Sequence, residues 1–481
     1  MTTISAPEQA PLVLRRVTST AGRLRPRAVP GWCRTASALA FWSVLVAVTA
    51  LWVQGGGLGE LGSVAGALTS TGRLTGLIAS ALLLIQVLLM ARVPWFEQSW
   101  GQDELVRTHR LVGFTSFNLM LAHIVLITLG YAAGSTLGLW GTIVDLVVNY
   151  PGMLLALAGT FALVMVVVTS VKKARARLRR ESWHLIHLYA YLGTGLALPH
   201  QLWTGGDFLA SPVATFFWWG LYAVCAGAVV AFRIVLPLWR SSRAGLRVTE
   251  VRSEMSGVTS VTVSGPGVGS IRAHGGQFFQ WRFLDGPGWT RANPYSLSAA
   301  PDGRTLRITA AHVGDGSARL ATLRPGARVL VEGPYGRLHA GVRVRDKSLL
   351  MASGIGITPL RALLEDLPPG APGDIVVIHR VRSGGEAILS DELRGLCSAK
   401  GARYVLVEGP RAQRVDAARP TWLPAQAGLL TDEEALLQVV PDITERDVFL
   451  CGSPGWLDAA ATAVRGVGVP ARQLHVERFT D

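Results

Sequence analysis

Six apolar segments of roughly 20 residues constrain the fold more than any other feature of this sequence. A segment of that length crosses the hydrocarbon core of a bilayer, about 30 Å thick, as an α-helix. The first half of the chain contains six of them, at residues 36–54, 74–93, 108–131, 152–171, 182–202 and 214–238. The sequence therefore predicts a six-helix transmembrane bundle in contact with membrane lipid.

The basic residues predict the orientation of this bundle. The formal net charge is +14, and the densest basic cluster, KKARARLRR at residues 172–180, lies between two apolar segments. Positive charge accumulates in the cytoplasmic loops of membrane proteins. The N-terminal tail and the exit segment with Arg240 and Arg243 are also basic. We therefore expect a multi-pass protein of the plasma (inner) membrane with both termini cytoplasmic, and no nucleic acid as a partner.

The cysteines and the N-terminal residues give no indication of a metal site, a disulfide framework or a signal peptide. The four cysteines are scattered without a CxxC pair, so neither a zinc site nor a disulfide framework is expected. The soluble part is expected in a reducing compartment. Residues 1–35 contain six arginines, five of them within the first 30 residues, and a short apolar stretch, which favours a cytoplasmic tail over a signal peptide.

Two of the apolar segments carry a histidine towards each end. HRLVGFTSFNLMLAH places His109 and His123 14 positions apart, which is about 1400° of helical rotation, so both imidazoles face one way about 21 Å apart. His187 and His200 are 13 positions apart in the fifth segment. Because both segments cross in the same direction, His109 and His187 are expected at one depth, and His123 and His200 at the other.

Two imidazoles that face each other inside a helix bundle are suited to bind a haem iron from both sides. The two pairs predict two stacked b-type haems. In a straight helix His187 and His200 are about 140° out of phase, which a proline and two glycines between them can relieve. Three alternatives stay open: hydrogen-bonded histidines without haem, ligation by His184 instead of His187, and an interfacial Arg73 instead of one that pairs with a haem propionate.

The second half of the chain changes to short β-like runs and then to alternating strands and helices. Alternating runs separated by Gly, Pro and Asp turns predict a small β-barrel at residues 245–340: LRVTEV, VTSVTVSG, QFFQWRF, TLRITAAHV and ARVLVEG. In residues 345–481, SLLMAS precedes TPLRALLEDL and DVFLC precedes GWLDAAATAVRG, which predicts a doubly wound α/β domain. The predicted fold class is a multi-domain membrane protein, with the six-helix bundle at residues 36–240.

Two motifs in the predicted barrel are suited to a flavin. In NPYSLSAAP, Tyr295 can flank the flavin ring and Ser296 can bond its edge. In HVGDGSARL, Gly314 and Gly316 allow close backbone approach, and Ser317 is predicted to cap a short helix whose N-terminus binds a pyrophosphate. A plain capped turn is the alternative for the second motif.

The α/β domain begins with a nucleotide-type turn. LLMASGIGITPL places a glycine turn between a strand and a helix. Gly354 and Gly356 are expected to keep Cβ atoms away from ligand phosphates, while Thr358 and Pro359 open the helix that binds them. The flanking strand and helix are what such a motif requires.

Residues at the ends of two later strands complete this prediction. Arg380, Arg382 and Ser383 can bind a 2′-phosphate and so favour NADPH over NADH, although exposed strand-end arginines are the alternative. Cys451 and Gly452, in DVFLCGSPGW, follow a strand at the sheet edge where open α/β sheets bind ligands.

In this order the motifs resemble a known family. The two histidine pairs are similar to the haem ligands of the ferric-reductase transmembrane domain shared by NADPH oxidases and ferric-chelate reductases. NPYS, GDGS, GPYG (333–336), GIGITP and CGSP are similar to the successive flavin and nucleotide motifs of the ferredoxin–NADP reductase superfamily. The sequence departs from that pattern at Asn293, where such enzymes usually have His or Arg, and at Ser453, which interrupts CGP.

The resemblance implies an NAD(P)H-dependent flavocytochrome b oxidoreductase. Electrons from NAD(P)H would pass through FAD and two haems to an extracytoplasmic acceptor, either dioxygen, a ferric chelate or a redox protein. Cys451 is implied at the hydride-transfer site, with Phe479 covering the flavin or anchoring the core. Trp239 is a candidate between flavin and inner haem. A transporter with proton-relaying histidines is the remaining alternative, and it leaves the flavin motifs without a use.

Overall fold

A computed structural model describes residues 32–175, 177, 180–286, 288–289, 291–410, 421–427 and 430–478. Most of the predicted N-terminal tail lies outside the described residues. The first half of the chain is helical, with a π-helical segment, Val230–Val235, between its last two helices. The helices are α1 (Trp32–Gln54), α2 (Val64–Leu89), α3 (Pro94–Trp100), α4 (Gln102–Ala133), α5 (Gly138–Asn149), α6 (Met153–Ser170), α7 (Lys172–Arg175), α8 (Arg180–Trp203), α9 (Pro212–Val229) and α10 (Leu236–Ala244).

Five helical stretches are long and apolar enough to cross a membrane, and they coincide with five of the six predicted segments. They are Trp32–Gln54, Val64–Leu89, Glu104–Ala133, Met153–Ser170 and Pro212–Ala244. The predicted fifth segment lies in α8, whose 24 residues are long enough. Its three histidines, two tyrosines and one proline make it less apolar than the other five. A count of six spans therefore stays a prediction.

The outer surface of these helices is apolar. Phe216 is 83% exposed, Leu111 67% and Phe161 66%. Large apolar surfaces on a soluble protein are rare because water does not solvate them favourably. Lipid is the solvent that suits such a surface, and the multi-pass membrane protein predicted from the sequence is supported.

Helix α5 lies where the sequence-based prediction had a connection between spans. Its 12 residues extend about 18 Å, too short to cross a bilayer. The prediction missed it because an apolar stretch below spanning length produces no transmembrane signal.

Glycines bring the histidine-bearing helices close to their neighbours. A Cβ atom on Gly159 of α6 would lie 2.7 Å from the Gly193 carbonyl oxygen of α8. Similarly, a Cβ atom on Gly130 of α4 would lie 2.8 Å from the Thr69 nitrogen of α2. Close backbone contact of this kind drives helix association in membranes, where the hydrophobic effect between helices is absent. The helix pairs α2–α4 and α6–α8 are therefore tightly packed, which fixes the positions of the histidines on α4 and α8.

The second unit is a six-stranded antiparallel sheet followed in the chain by a parallel one. In strand order β4-β3-β6-β1-β2-β5, every pair is antiparallel. Phe279, Trp281 and Phe283 of β3 are buried on one face, the period-two pattern of a strand. A bridge between Leu297 and Ile308 joins the ends of the sheet, while closure as a barrel stays a prediction. The elements are β1 (Arg247–Met255), β2 (Val258–Ser264), β3 (Phe278–Leu284), β4 (Asn293–Ser296), β5 (Thr305–Ala311), α11 (Asp315–Ala318) and β6 (Arg328–Tyr335).

The parallel sheet has the order β11-β10-β7-β8-β9. Leu349 and Met351 of β7 face one hydrophobic core, and Leu350 and Ala352 face the other. Helices thus cover both faces, and the predicted doubly wound arrangement is confirmed. The elements are β7 (Lys347–Ser353), α12 (Ile357–Asp366), β8 (Ile375–Val381), α13 (Ser390–Lys400), β9 (Arg403–Glu408), α14 (Asp432–Val439), β10 (Arg446–Gly452), α15 (Pro454–Gly466) and β11 (Leu474–Arg478).

Replacement of Gly159 by alanine tests the α6–α8 contact. The new methyl group meets a backbone oxygen that cannot move alone, so Gly159→Ala is expected to destabilise the bundle by about 1–3 kcal/mol. Gly227→Ala is the matched control, because a Cβ atom there meets nothing within 4 Å and alanine is intrinsically favoured in a helix by up to about 1 kcal/mol. Thermal unfolding in detergent measures both, and equal midpoints for the two variants would contradict the packing described here.

Candidate functional site

Both histidines of α4 are oriented by backbone carbonyls of α2. Nδ1 of His123 lies 2.8 Å from the Gly72 oxygen, and Nδ1 of His109 lies 3.1 Å from the Gln86 oxygen. Since a carbonyl only accepts, each Nδ1 carries the proton and each Nε2 keeps a free lone pair. A neutral imidazole oriented in this way is the form that binds a metal ion.

The histidines of α8 face those of α4. The ring centroids of His187 and His109 are 6.1 Å apart. Two imidazoles on opposite sides of one metal ion, with bonds of about 2.0 Å, have ring centroids about 6 Å apart. Nδ1 of His200 is buried and interacts with the backbone of Ala197, although not with the geometry of a normal hydrogen bond. His200 also lies within electrostatic range of His123, which brings the second pair of histidines together.

Trp183 adjoins the His109–His187 pair, and the sequence analysis missed it. Its ring lies 4.9 Å from that of His187 at 31°. Its Nε1 donates to Ser170 Oγ at 3.4 Å, and the Arg175 guanidinium lies 4.1 Å above its ring. The signal available in the sequence was its position four residues before His187, which places both side chains on one helix face.

The structure separates two alternatives that the sequence left open. His187 lies against His109, whereas the side chain of His184 is exposed. Arg73 donates to both oxygens of Asp207, at 2.9 and 2.6 Å, and to Glu60 at 2.7 Å. Because these carboxylates engage its guanidinium, the interfacial role of Arg73 is favoured over a contact with a haem propionate.

Tyr295 and Ser296 lie at the end of β4, as the flavin interpretation requires. The backbone oxygen of Tyr295 accepts from Trp281 Nε1 at 2.9 Å, which fixes the strand. Burial raises the pKa of the Tyr295 hydroxyl to about 12, so the ring stays neutral. Ser296 is buried beside it.

The GDGS loop contacts the same strand. A Cβ atom on Gly316 would lie 3.0 Å from Asn293 Oδ1, so glycine permits this approach. Ser317 is the third residue of α11, and it caps the helix from inside, because its Oγ accepts from the N–H of Gly314, the residue just before the helix, at 3.2 Å. The same oxygen accepts from the N–H of Val313 at 3.0 Å, which closes the loop.

The two glycines of GIGITP have different roles. Gly354 has φ +54°, and a Cβ atom there would meet no described atom within 4 Å. This leaves one side of the turn open to a ligand. A Cβ atom on Gly356 would lie 2.3 Å from the Cys451 oxygen. Gly356 thus serves packing against β10, and its expected role next to ligand phosphates is corrected.

The start of α12 is buried. Thr358 Oγ1 donates to the Ile355 oxygen at 3.0 Å, and Pro359 is the third residue of α12. Both side chains therefore pack at the start of the helix. A phosphate would instead be bound by the backbone N–H groups of the first helical turn, which face the glycine turn.

His379 holds the open glycine in place, and the sequence analysis missed it. Its Nε2 donates to the Gly354 oxygen at 3.2 Å, so its Nδ1 accepts from the Tyr404 hydroxyl at 3.2 Å. Burial lowers the pKa of His379 to about 4, so the ring is neutral. A histidine inside the apolar run DIVVIHR was the available signal.

The strand-end arginines do not act together. Arg380 is buried, and its guanidinium donates to the oxygens of Pro410, at 3.1 Å, and Val381. It therefore binds its own backbone and does not face a ligand, which corrects its predicted role. Arg382 and Ser383 are exposed beyond the strand, and the 2′-phosphate prediction depends on these two.

Cys451 is fully buried at the edge where β10 ends, and burial raises the pKa of its thiol. Glu477, a residue that the sequence analysis missed, pairs with it across the parallel ladder. A Cβ atom on Gly336 would lie 3.4 Å from the Glu477 carboxylate. GPYG, CGSP and the last strand thus meet at one edge, next to Gly452. Phe479 lies outside the described residues.

The bundle joins the antiparallel sheet through α10. Ser241 Oγ donates to the Val331 oxygen at 2.8 Å and accepts from the Val331 nitrogen at 2.9 Å. Trp239, on the same helix, is 55% exposed, with the Arg243 guanidinium 5.3 Å from its ring. Trp239 stays a candidate only by its position near this junction.

Acid is expected to destabilise the nucleotide-type domain through His379. The unfolded chain binds this proton near pH 6.5 and the folded one near pH 4, so stability on the order of 3 kcal/mol is present above the first value and lost as the pH falls towards the second. His379→Gln should lose less stability between about pH 7 and about pH 5. Urea unfolding of the full chain at each pH checks this. Tyr404→Phe is the control, because it keeps the imidazole and should lose as much stability as the unsubstituted protein. Identical pH slopes for His379→Gln and the unsubstituted protein would contradict it.

Comparison with known proteins supports both halves of this architecture. Residues 75–198 match the family described as ferric reductase like transmembrane component. That range contains His109, His123 and His187 and ends two residues before His200. The likeness of the second half is to "Ferredoxin--NADP reductase B" of Sorangium cellulosum, 30% identical over 201 residues, which are 40% of this chain and 80% of that protein.

Two further proteins cover the same half. The "Flavohemoprotein" of Chromobacterium violaceum is 29% identical over 41% of this chain, and the chain spans half of that protein's length. The flavohem-like FAD/NAD-binding domain of nitric oxide dioxygenase from Vibrio cholerae has a solved structure, with 22% identity, a TM-score of 0.39, and coverage of 49% of this chain and 99% of that one. Through its C-terminal module, which resembles the Sorangium protein over most of that protein's length, the chain belongs to the ferredoxin–NADP reductase family, and this module is joined to a segment that matches the ferric reductase like transmembrane component.

Proposed function

We propose that this protein moves electrons from NAD(P)H through FAD and two b-type haems to an acceptor on the other side of the membrane. The observation that carries the proposal is the His109–His187 pair, whose ring centroids are 6.1 Å apart. His109 keeps its Nε2 lone pair free because its Nδ1 faces the Gln86 oxygen. A transporter would need no such pair and no flavin module.

The histidines fit two haems held in tiers. His109 and His187 would hold one, and His123 and His200, which lie within electrostatic range of each other, the other. For this, α8 has to cross the membrane as the sixth span, since it carries His187 and His200 near opposite ends. The positive charge of the basic segments then favours a cytoplasmic position for the module and both termini. Bound flavin takes up a hydride and releases electrons singly, and bound haem iron carries one electron at a time.

The protein's own groups bind and orient the two organic ligands. Tyr295 presents a neutral ring and Ser296 a hydroxyl at the flavin edge, and the turn opened by Gly354 receives nucleotide phosphates at the start of α12. Cys451 keeps its proton on sulfur at the edge where a nicotinamide would bind, because burial raises the pKa of its thiol. Arg382 and Ser383 favour NADPH through a 2′-phosphate.

The haem sites predict a specific absorption signature. The purified, iron-replete protein should contain two b-type haems and one FAD, with a Soret band in the reduced-minus-oxidised spectrum. His123→Ala should remove one haem and stop transfer to the distal acceptor, while reduction of flavin by NAD(P)H continues, because the flavin lies in the other module. A colourless, folded preparation would overturn the proposal.

A matched pair of variants tests whether His187 or His184 binds the inner haem. His187→Ala should lose the inner haem, whereas His184→Ala, one turn away and exposed, should retain both. The reverse result would assign the ligand to His184.

The identity of the final electron acceptor distinguishes two forms of the proposed function. Reduction of a ferric chelate or superoxide production by protein and NADPH alone indicates a small acceptor. The relative named a ferredoxin–NADP reductase motivates the alternative, a membrane-anchored reductase that supplies a redox protein. We expect the small acceptor, because the connections predicted on the outer side, residues 54–73, 134–150 and 204–211, are short and mostly apolar. The alternative would be favoured if NADPH reduces the haems but neither a reduced chelate nor superoxide forms, and if the haems are reoxidised only after a redox protein is added.

A further inference from the structure

Arg92 connects the bundle to the antiparallel sheet. It lies between α2 and α3 with φ +60°, a left-handed conformation that costs free energy for any residue with a Cβ atom. Its guanidinium lies 4.3 Å from the ring centroid of Tyr335 on β6, and its Nε lies 3.7 Å from Glu332 Oε1. Strained residues persist where surrounding contacts compensate for the strain, and here two of those contacts, with Tyr335 and Glu332, belong to the other module.

The contact is buried. The Arg92 side chain is 13% exposed, and its ion pair with Glu97 Oε1, on α3, is 3.8 Å long. The Tyr335 hydroxyl donates to Glu332 Oε1 at 2.7 Å, which keeps ring and carboxylate together. A guanidinium between a ring and two carboxylates in a site shielded from water interacts far more strongly than an exposed ion pair.

The bundle side of this contact is anchored separately. Arg233, in the π-helical segment, donates to the Met90 oxygen at 3.1 Å and so fixes the end of α2. Burial raises the pKa of Glu97 to about 7, with Glu332 raising it further and Arg92 and Arg233 opposing the shift. Ser241 holds β6 next to the covalent link from α10 to β1. Arg92 supplies a second, non-covalent connection.

Both ends of the contact lead to groups of the proposed electron path. Gln86, six residues before Arg92, orients His109 through its backbone oxygen. On the other side, Tyr335 pairs with Phe278, which in turn pairs with Ser296. Tyr335 and Ser296 are therefore two strand spacings apart, about 10 Å.

We propose that Arg92 is a positioning residue that clamps the flavin-binding sheet onto the end of α2 and thereby sets the distance for electron transfer from flavin to the inner haem. This inference rests on the proposed function. The rate of electron transfer between two modules falls as their separation grows, so a sheet that is held less closely on the bundle passes electrons more slowly.

Three variants of the full chain test the clamp. Arg92→Gln keeps the strained backbone and removes the charge, whereas Arg92→Lys retains a cation above the Tyr335 ring. Arg34→Gln is the matched control. Arg34 lies 4.5 Å over Trp100 and 2.9 Å from Glu104, so it makes the same kinds of contact within the bundle alone.

Anaerobic stopped-flow mixing with NADPH separates the two steps by their spectra. In Arg92→Gln, flavin reduction should be unchanged while haem reduction slows at least about tenfold. Arg92→Lys should restore part of the haem rate, and Arg34→Gln should match the unsubstituted protein.

The outcomes that contradict the clamp differ from those that contradict the function. Unsubstituted protein that reduces flavin but never haem refutes the proposed function and the clamp with it. Normal haem reduction in the unsubstituted protein together with an unchanged rate in Arg92→Gln refutes the clamp alone. Equal loss of flavin reduction in both Arg92 variants also refutes it, since Arg92 would then serve folding or flavin binding.

Discussion

The bonds from the imidazole Nδ1 atoms of α4 to carbonyls of α2 are the constraint on which the rest of the structure depends. A buried imidazole in an apolar bundle needs a partner for each nitrogen. Gly72 and Gln86 supply one through their backbone oxygens, so the second nitrogen of each ring is left for another partner. The close packing of α2 on α4, made possible by glycine, brings these carbonyls within reach. Helix packing thus decides the chemical state of the histidines.

The same end of α2 serves both modules. Its last turns orient His109 and lead directly into Arg92, which contacts β6. On the other side, β6 belongs to the sheet that carries Tyr295 and Ser296 on β4. The proposed electron path between the two modules depends on such a connection, because Arg92 adds a second contact on β6 to the link through α10, which reaches the sheet at its middle strands β6 and β1. The nucleotide end shows a comparable device, with buried His379 fixing the carbonyl of Gly354.

Local patterns predicted much of this architecture. Apolar length identified five spanning helices, and strand–helix alternation identified the doubly wound sheet, because both signals arise from residues close together in the chain. Helix α5 was missed because it is too short to span a membrane. Trp183, His379 and Glu477 were missed because their roles depend on neighbours from other elements. Arg380 was misassigned for the same reason: its position at a strand end is visible in the sequence, whereas its inward orientation depends on the Pro410 carbonyl.

The sequence by itself determined the membrane half, the order of the flavin and nucleotide motifs, and the 14-residue spacing that puts two imidazoles on one helix face. These depend on hydropathy and helical period, which are properties of the local chain. Only the tertiary structure decided that His187 and not His184 faces His109, that Gly356 serves packing while Gly354 stays open, and that Arg92 reaches the sheet. Each of these depends on which backbone or ring comes within a few ångströms after helices and strands have packed, and no local pattern encodes that distance.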